Sequence, residues 1–165
     1  MLIYEPKYFK PQELISPNLW DLVSTDGLYL YHPNILRGAD KLREAYGPMI
    51  ANTWHSPTLM EKFGCHRFRG LREKNCEVGA KYSAHKVGIG KRDTGHKGII
   101  PYSAIDLWPV DTPVNIILKE IGDNQLIWKK YFTRIEKTTP EGRPITWFHG
   151  DNKPTNKQGI HFFTP

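Results

Sequence analysis

The chain has 165 residues, 39% of them hydrophobic and 24% charged. That is an ordinary globular composition, and it is long enough to bury a core in one domain without covalent staples. Two cysteines, Cys65 and Cys76, are too few for a disulfide scaffold and lack the Cys-x-x-Cys spacing of a thiolate zinc site, so two reduced thiols are expected. The formal charge of +6 favours anionic partners, but it is spread along the chain. No helix carries a basic face and no nucleic-acid motif occurs, so nucleic acid is not an expected partner.

The N-terminal MLIYEPKYFK lacks the basic start, apolar centre and cleavage site of a signal peptide, and no stretch approaches 18 apolar residues. Synthesis and retention in the cytoplasm are therefore expected unless another agent releases the protein, and a membrane is not an expected partner. Residues 11–23 (PQELISPNLWDLV) predict one or two short helical turns with a Pro-Asn break. Over 34–46 the pattern is clearer. Ile35, Leu36, Ala39, Leu42, Ala45 and Tyr46 share one helical face, Asn34 is the expected cap and Gly47-Pro48 the stop. Residues 49–54 suit a buried strand.

Residues 65–98 are rich in Gly, Lys and Arg with little periodicity, which predicts a long irregular functional stretch. Residues 102–108 (YSAIDLW) read as a strand. Asp111-Thr112-Pro113 predicts a helix start, with Val114, Ile117, Leu118 and Ile121 following to Gly122. Residues 131–135, 145–149 and 159–164 read as further strands. Helices and strands are interspersed and joined by short loops, which predicts a single α+β domain with a central antiparallel sheet flanked by helices. Trp54, Trp108, Trp128 and Trp147 are expected in the core or in groove walls.

Seven histidines occur without a His-Glu-x-x-His motif, so any metal site must be assembled from distant segments. His85 lies in a glycine-bearing turn (SAHKVG). Asp106 lies in an apolar strand, where an unpaired carboxylate is costly. His149 ends another strand (TWFHGD). Two histidines and one carboxylate form a standard catalytic zinc set with a position left open. The alternative reading has Asp106 capping a turn and the histidines scattered over surface and core.

Taken in order, these segments resemble the zinc D-Ala-D-Ala carboxypeptidases and L-alanyl-D-glutamate endopeptidases, which share a fold with the Hedgehog signalling domain. The resemblance runs through Phe9 to Leu14, KLREAYGPMIAN, FRGLREKNCEVGAKYSAHKVG (68–88) and WFHGD (147–151). It implies a Hedgehog/DD-peptidase-like fold and a Zn2+ ion held by His85, Asp106 and His149. It also implies that Arg69, sixteen residues before His85, holds a substrate carbonyl or carboxylate. Arg69 is otherwise one more solvated arginine beside Arg67 and Arg72. The implied substrate is the peptide stem of bacterial peptidoglycan, cut by a monomeric enzyme. The missing signal peptide fits a phage lysis enzyme released by a holin or one carried in a virion.

The chain departs from the family pattern twice. The family places its aspartate shortly after the first histidine, whereas here residues 89–102, including His96, read as an insertion. It is read as a lid, a contact for an anionic wall polymer or a neutral surface loop, with His96 as an alternative ligand. The family also carries an acid three residues before the last histidine, where this chain has Thr146. Asp151, on the face of His149 two residues on, is then the candidate base or a partner that holds His149. Glu73, Glu136 and Glu141 are further carboxylates that folding can bring near. If no carboxylate reaches the site, the expectation shifts to a catalytically silent wall-binding or phage structural module.

Overall fold

The structure, a computed structural model, describes residues 4–78, 83–87 and 102–165. His96 and the expected insertion up to residue 101 lie outside the described residues.

Prolines open four helices: α1 (Pro11–Leu14), α2 (Pro17–Val23), α3 (Pro33–Tyr46) and α4 (Pro57–Phe63). A first-turn proline loses no helical hydrogen bond and arrives with its φ preset. Ser16 and Ser56 cap α2 and α4 by accepting from the N–H groups of Leu19 and Leu59. The Pro-Asn break thus separates α1 from α2 as expected, and a 3-10 helix, Ser24–Leu30, follows. In α3 the expected apolar face is buried at Ile35, Leu36, Ala39, Leu42 and Tyr46, all within the core, whereas Ala45, expected on the same face, is exposed. Its cap differs from expectation. Pro33 takes the first helical position, so the cap falls on His32, whose ring Nδ1 accepts from Asn34 N–H at 3.2 Å. Gly47, at φ +84°, ends the helix in a backbone conformation that side chains disfavour.

The strand expected over 49–54 contracts to β1 (Met49–Ile50). The strand expected over 102–108 is β2 (Ala104–Pro109). Helix α5 (Val114–Asp123) begins after Pro113, because the Thr112 hydroxyl is committed to the Tyr46 carbonyl at 2.9 Å rather than to a cap. A short α6 (Gln125–Trp128) follows. The remaining strands are β3 (Arg134–Glu136), β4 (Phe148–Asp151) and β5 (His161–Phe163).

The five strands form one sheet in the order β1-β2-β4-β3-β5. It is mixed rather than antiparallel throughout: β5 runs parallel to β3, pairing Arg134 with His161 and Glu136 with Phe163. Strand alternation sends successive side chains to opposite faces. One face carries Ile105, Leu107, Ile135 and Phe148, all buried in the core with Leu36, Ala39, Ile117 and Ile121 of the helices. The other carries Asp106, His149, Asp151, Arg134 and Glu136 and is the polar face of the sheet. Gly150 lets Phe132 press on the apolar face, since a Cβ there would sit 2.6 Å from the ring.

Trp128 belongs to the core. Trp54 is half-buried and donates to the Ile15 carbonyl, Trp147 lines a cleft together with Asp106 and His149, and Trp108 is exposed. Both cysteines are free, Cys65 exposed and Cys76 buried. Among the described residues no helix is long and apolar enough to cross a membrane.

Candidate metal centre

The register of β2 against β4 sets Asp106 directly opposite His149. Their side chains therefore leave the same face, and His149 Nδ1 lies 2.6 Å from Asp106 Oδ1. The third member comes from a different part of the chain. Where β1 ends, the segment around Arg69 runs along β2, and Asp106 N–H donates to the Arg69 carbonyl at 2.8 Å. Three residues on, Arg72 N–H donates to the His85 carbonyl at 2.7 Å, and Val87 N–H donates to the Arg72 carbonyl at 2.9 Å. This short ladder delivers His85, which is 3% exposed, to the sheet. Its Nε2 lies 3.2 Å from His149 Nδ1 and 3.3 Å from Asp106 Oδ1.

Both imidazoles are held from behind. His85 Nδ1 faces the Gly70 carbonyl at 2.9 Å, which fixes that nitrogen as the donor and frees Nε2 to point inward. His149 Nε2 faces Asp151 Oδ2 at 3.6 Å, leaving Nδ1 inward. Outer partners of this kind set tautomer and ring orientation in metal-binding histidines. Among the described residues these three form the one group of metal-ligating side chains close enough to hold an ion.

The donor set fits zinc in kind and in spacing. Ligands at 2.0–2.1 Å in tetrahedral array stand about 3.3 Å apart, close to the 3.2 and 3.3 Å separations of His85. The 2.6 Å contact of Asp106 with His149 is a hydrogen bond that a cation would open. Burial works against the charged form of His149, but Asp106 and Asp151 outweigh it and push its pKa up to about 10. Burial opposes the carboxylate of Asp106 as well, yet His85 and His149 hold its pKa far below the usual range.

Asp151 is wholly buried and forked onto Arg134, with Oδ1 2.9 Å from Nε and Oδ2 2.5 Å from Nη2. It also accepts from Lys153 N–H at 3.0 Å. Burial would raise its pKa, but His149 and Arg134 prevail and lower it from 3.8 to about 2. Its folded-state pKa is depressed, so its stabilising contribution is full above the unfolded value and disappears as pH falls from 3.8 toward 2. That shift corresponds to roughly 2 kcal/mol. Asp151→Asn is therefore expected to flatten acid unfolding over that window. It should also weaken metal affinity by about 10–100-fold, as loss of an outer partner does. Equilibrium unfolding at stepped pH and a zinc titration would check both.

The trio opens on a cleft of about 400 Å³, walled by Trp147 and Phe163 and containing Arg72, Ser83 and Glu136. Glu136 is 7% exposed. Its pKa is raised, first by burial and further by Asp106, with His149 pulling the other way. It stands on the polar face through simple alternation about Ile135, although its sequence neighbourhood marked it as only one of several acids. Thr146 is exposed and lines a separate groove with Trp108 and Val110. Of the other acids, Glu73 binds Ser16 and Asn18, and Glu141 is exposed beside Thr139.

Arg69 is not part of that cleft's lining. Its guanidinium lies 4.9 Å over the Trp108 ring, its Nη2 is 3.2 Å from His66 Nε2, and its Nη1 is buried without a partner. His55 packs edge-on against Trp54 and is also outside the cleft. Comparison with protein-family models, with curated proteins and with solved structures gives no match.

Proposed function

We propose that the chain is a zinc-dependent peptidase with a Hedgehog/DD-peptidase-like fold, acting on the peptide stem of bacterial peptidoglycan. The observation that carries this reading is the convergence of His85 Nε2, Asp106 Oδ1 and His149 Nδ1 at the floor of an open cleft. Both imidazoles are held from behind, and a buried glutamate lies in the same cleft. When bound there, zinc supplies a Lewis acid that polarises an amide carbonyl and makes water a better acid.

The chain's own groups do the rest. Asp151 acts as a positioning residue: its lone pairs are engaged by Arg134 and Lys153, and it orients His149. Glu136 is the general base. It takes a proton from the attacking water and passes it to the leaving amine as the C–N bond breaks. Its raised pKa brings it nearer the operating pH, which is where proton transfer is most effective. A carboxylate thus lies within the cleft even though Thr146 replaces the family acid, and this favours an enzyme over a silent binding module. Arg69 lies on the Trp108 side of Asp106, outside the cleft lining, so the expected role toward a substrate carbonyl requires a substrate that reaches that side.

The test is zinc content together with release of new amino groups from purified peptidoglycan. Wild type is expected to hold one zinc and to cut. Glu136→Gln should keep the zinc and lose about 10²–10⁴-fold in kcat. Zinc-loaded wild type that releases nothing from any wall type would return the chain to the binding-module reading. A fully active Glu136→Gln would remove Glu136 from the mechanism.

A further inference from the structure

Leu126 is 80% exposed and Ile127 51%, side by side in the single turn of α6. The next residue, Trp128, is buried in the core. Its ring stacks on Tyr46 at 6.1 Å and meets Tyr131 edge-on at 6.1 Å. A helix of one turn can bury only one side, and the Trp128 anchor turns Leu126 and Ile127 outward. Gln125 ties the turn down from its other end, where its Oε1 accepts from Ile160 N–H at 3.0 Å.

One exposed leucine alone means little, but the setting of this pair is charged in one sense. Lys129 and Lys130 follow Trp128 directly. The bond from Gln125 to Ile160 brings Lys157 beside α6. All three lysines are exposed, and among the described residues none of them forms an ion pair. No acid occurs in residues 124–133 or 152–161. The acids at the end of α5 are engaged: Asp123 binds Lys119 at 2.6 Å, and Glu120 faces Tyr46.

We propose that this corner docks the protein on an anionic lipid surface. Leu126 and Ile127 enter the headgroup boundary, and Lys129, Lys130 and Lys157 face the lipid phosphates. The combination selects the partner. Protruding apolar side chains need a partner that yields to them, as a bilayer boundary does, and a group of unpaired lysines needs anionic charge. A soluble polyanion would use the lysines and leave the apolar pair in water. A second copy would crowd like charges around that pair. Such docking is shallow and needs no spanning segment. Trp128 packs with Phe132 and Phe148 on the apolar side of the sheet, whereas the cleft opens on the polar side. A docked molecule therefore turns its cleft away from the lipid. The inference rests on the fold and the charge pattern and is independent of the peptidase reading.

The test is co-sedimentation of the full chain with vesicles of phosphatidylcholine alone and of phosphatidylcholine with about 30% phosphatidylglycerol, in about 0.1 M salt. Wild type should partition at least about tenfold more strongly onto the anionic vesicles, and most of that binding should disappear in about 0.5 M salt. Leu126→Ser/Ile127→Ser should lower partition by about tenfold or more. Lys129→Gln/Lys130→Gln should lower it by about fivefold per lysine. Lys62→Gln, which removes one charge from α4, should change little. All of these side chains are exposed, so the variants should fold, and circular dichroism checks that they do.

Absence of wild-type binding to the anionic vesicles overturns the inference. Binding that salt abolishes but Leu126→Ser/Ile127→Ser leaves unchanged also overturns it, because that is the behaviour of a general polycation. So does a loss in Lys62→Gln equal, per charge, to that in Lys129→Gln/Lys130→Gln. A wild-type dimer that Leu126→Ser/Ile127→Ser dissociates in analytical ultracentrifugation, without vesicle binding, assigns the corner to a second copy and overturns the lipid assignment. No readout involves hydrolysis, so each outcome holds whether or not the chain cuts peptidoglycan.

Discussion

Asp106→Asn is expected to abolish stoichiometric zinc binding and, with it, all hydrolysis of stem peptides above background, while the chain stays folded. The carboxylate is the anionic member of the trio and lies within reach of both imidazoles. An amide of the same shape cannot supply the charge that draws a dication into a partly buried site. The expected loss of affinity exceeds the ~10–100-fold that accompanies loss of an outer partner. The fold should survive because Asp106 projects from the polar face, whereas Ile105 and Leu107 on either side of it hold the core.

Linkage makes the outcome measurable without a substrate. Zinc at one hundred times its Kd should stabilise wild type by about 2.7 kcal/mol, which is roughly 5–11 °C in Tm for a chain of this size. The variant should show no zinc-dependent shift. Zinc must also displace the proton shared by His149 and Asp106, so wild-type affinity should be weaker at pH 6 than at pH 8. Retention of one tightly held zinc by Asp106→Asn would remove Asp106 from the ligand set.

The local elements were legible where one face meets a core. The apolar stripe of α3 and the alternation about Asp106 and His149 are properties of adjacent residues, and periodicity reports them. Pairing is not such a property. Nothing in SAIDLW or TWFHGD sets Asp106 opposite His149, 43 residues on, because that register is fixed by the burial of Leu107 and Phe148 on the far face. The parallel partnership of β3 and β5 is equally silent, since a strand carries the same alternation in either direction. Helix α4 was not anticipated: its short apolar stretch buries no residue and leaves no stripe for periodicity to report.

At the site, the family resemblance singled out His85, Asp106 and His149, and the fold brings those three together. Glu136 was harder to distinguish from the other acids, because its burial depends on Phe163 of the parallel neighbour strand and on the cleft around His149. Arg72 looked like part of a solvated basic run for the same reason. Its burial comes from the His85 turn packing beside it, a contact between segments that the sequence keeps apart.

The largest effect on the fold is expected from a methyl group outside the cleft. Gly70→Ala would set a Cβ 1.7 Å from the Leu14 carbonyl oxygen and 2.2 Å from its carbon. Both atoms are backbone, so no rotamer change can relieve the clash, and the two segments must separate by well over an ångström. That carbonyl accepts from Leu71 N–H at 2.8 Å and from the Tyr31 hydroxyl at 2.5 Å, and Ile15 bridges Leu71 beside it. Separation breaks these contacts inside the core. It also shifts the Gly70 carbonyl, which fixes the donor nitrogen of His85. The substitution should therefore cost more than about 4 kcal/mol, in the range reserved for disrupted cores. Any folded remainder should bind zinc some 10–100-fold more weakly. Gly142→Ala is the matched control: Gly142 has φ +77° and nothing within 4 Å of an added Cβ, so only left-handed backbone strain of about 1–2 kcal/mol applies. Denaturant unfolding of both variants beside wild type, each with a zinc titration, separates the two causes. A large loss confined to Gly70→Ala, with weakened zinc binding, shows that the main-chain contact with Leu14 supports both the fold and the metal centre. Equal small losses would mean that the 69–72 segment can move away from α1 without disturbing His85.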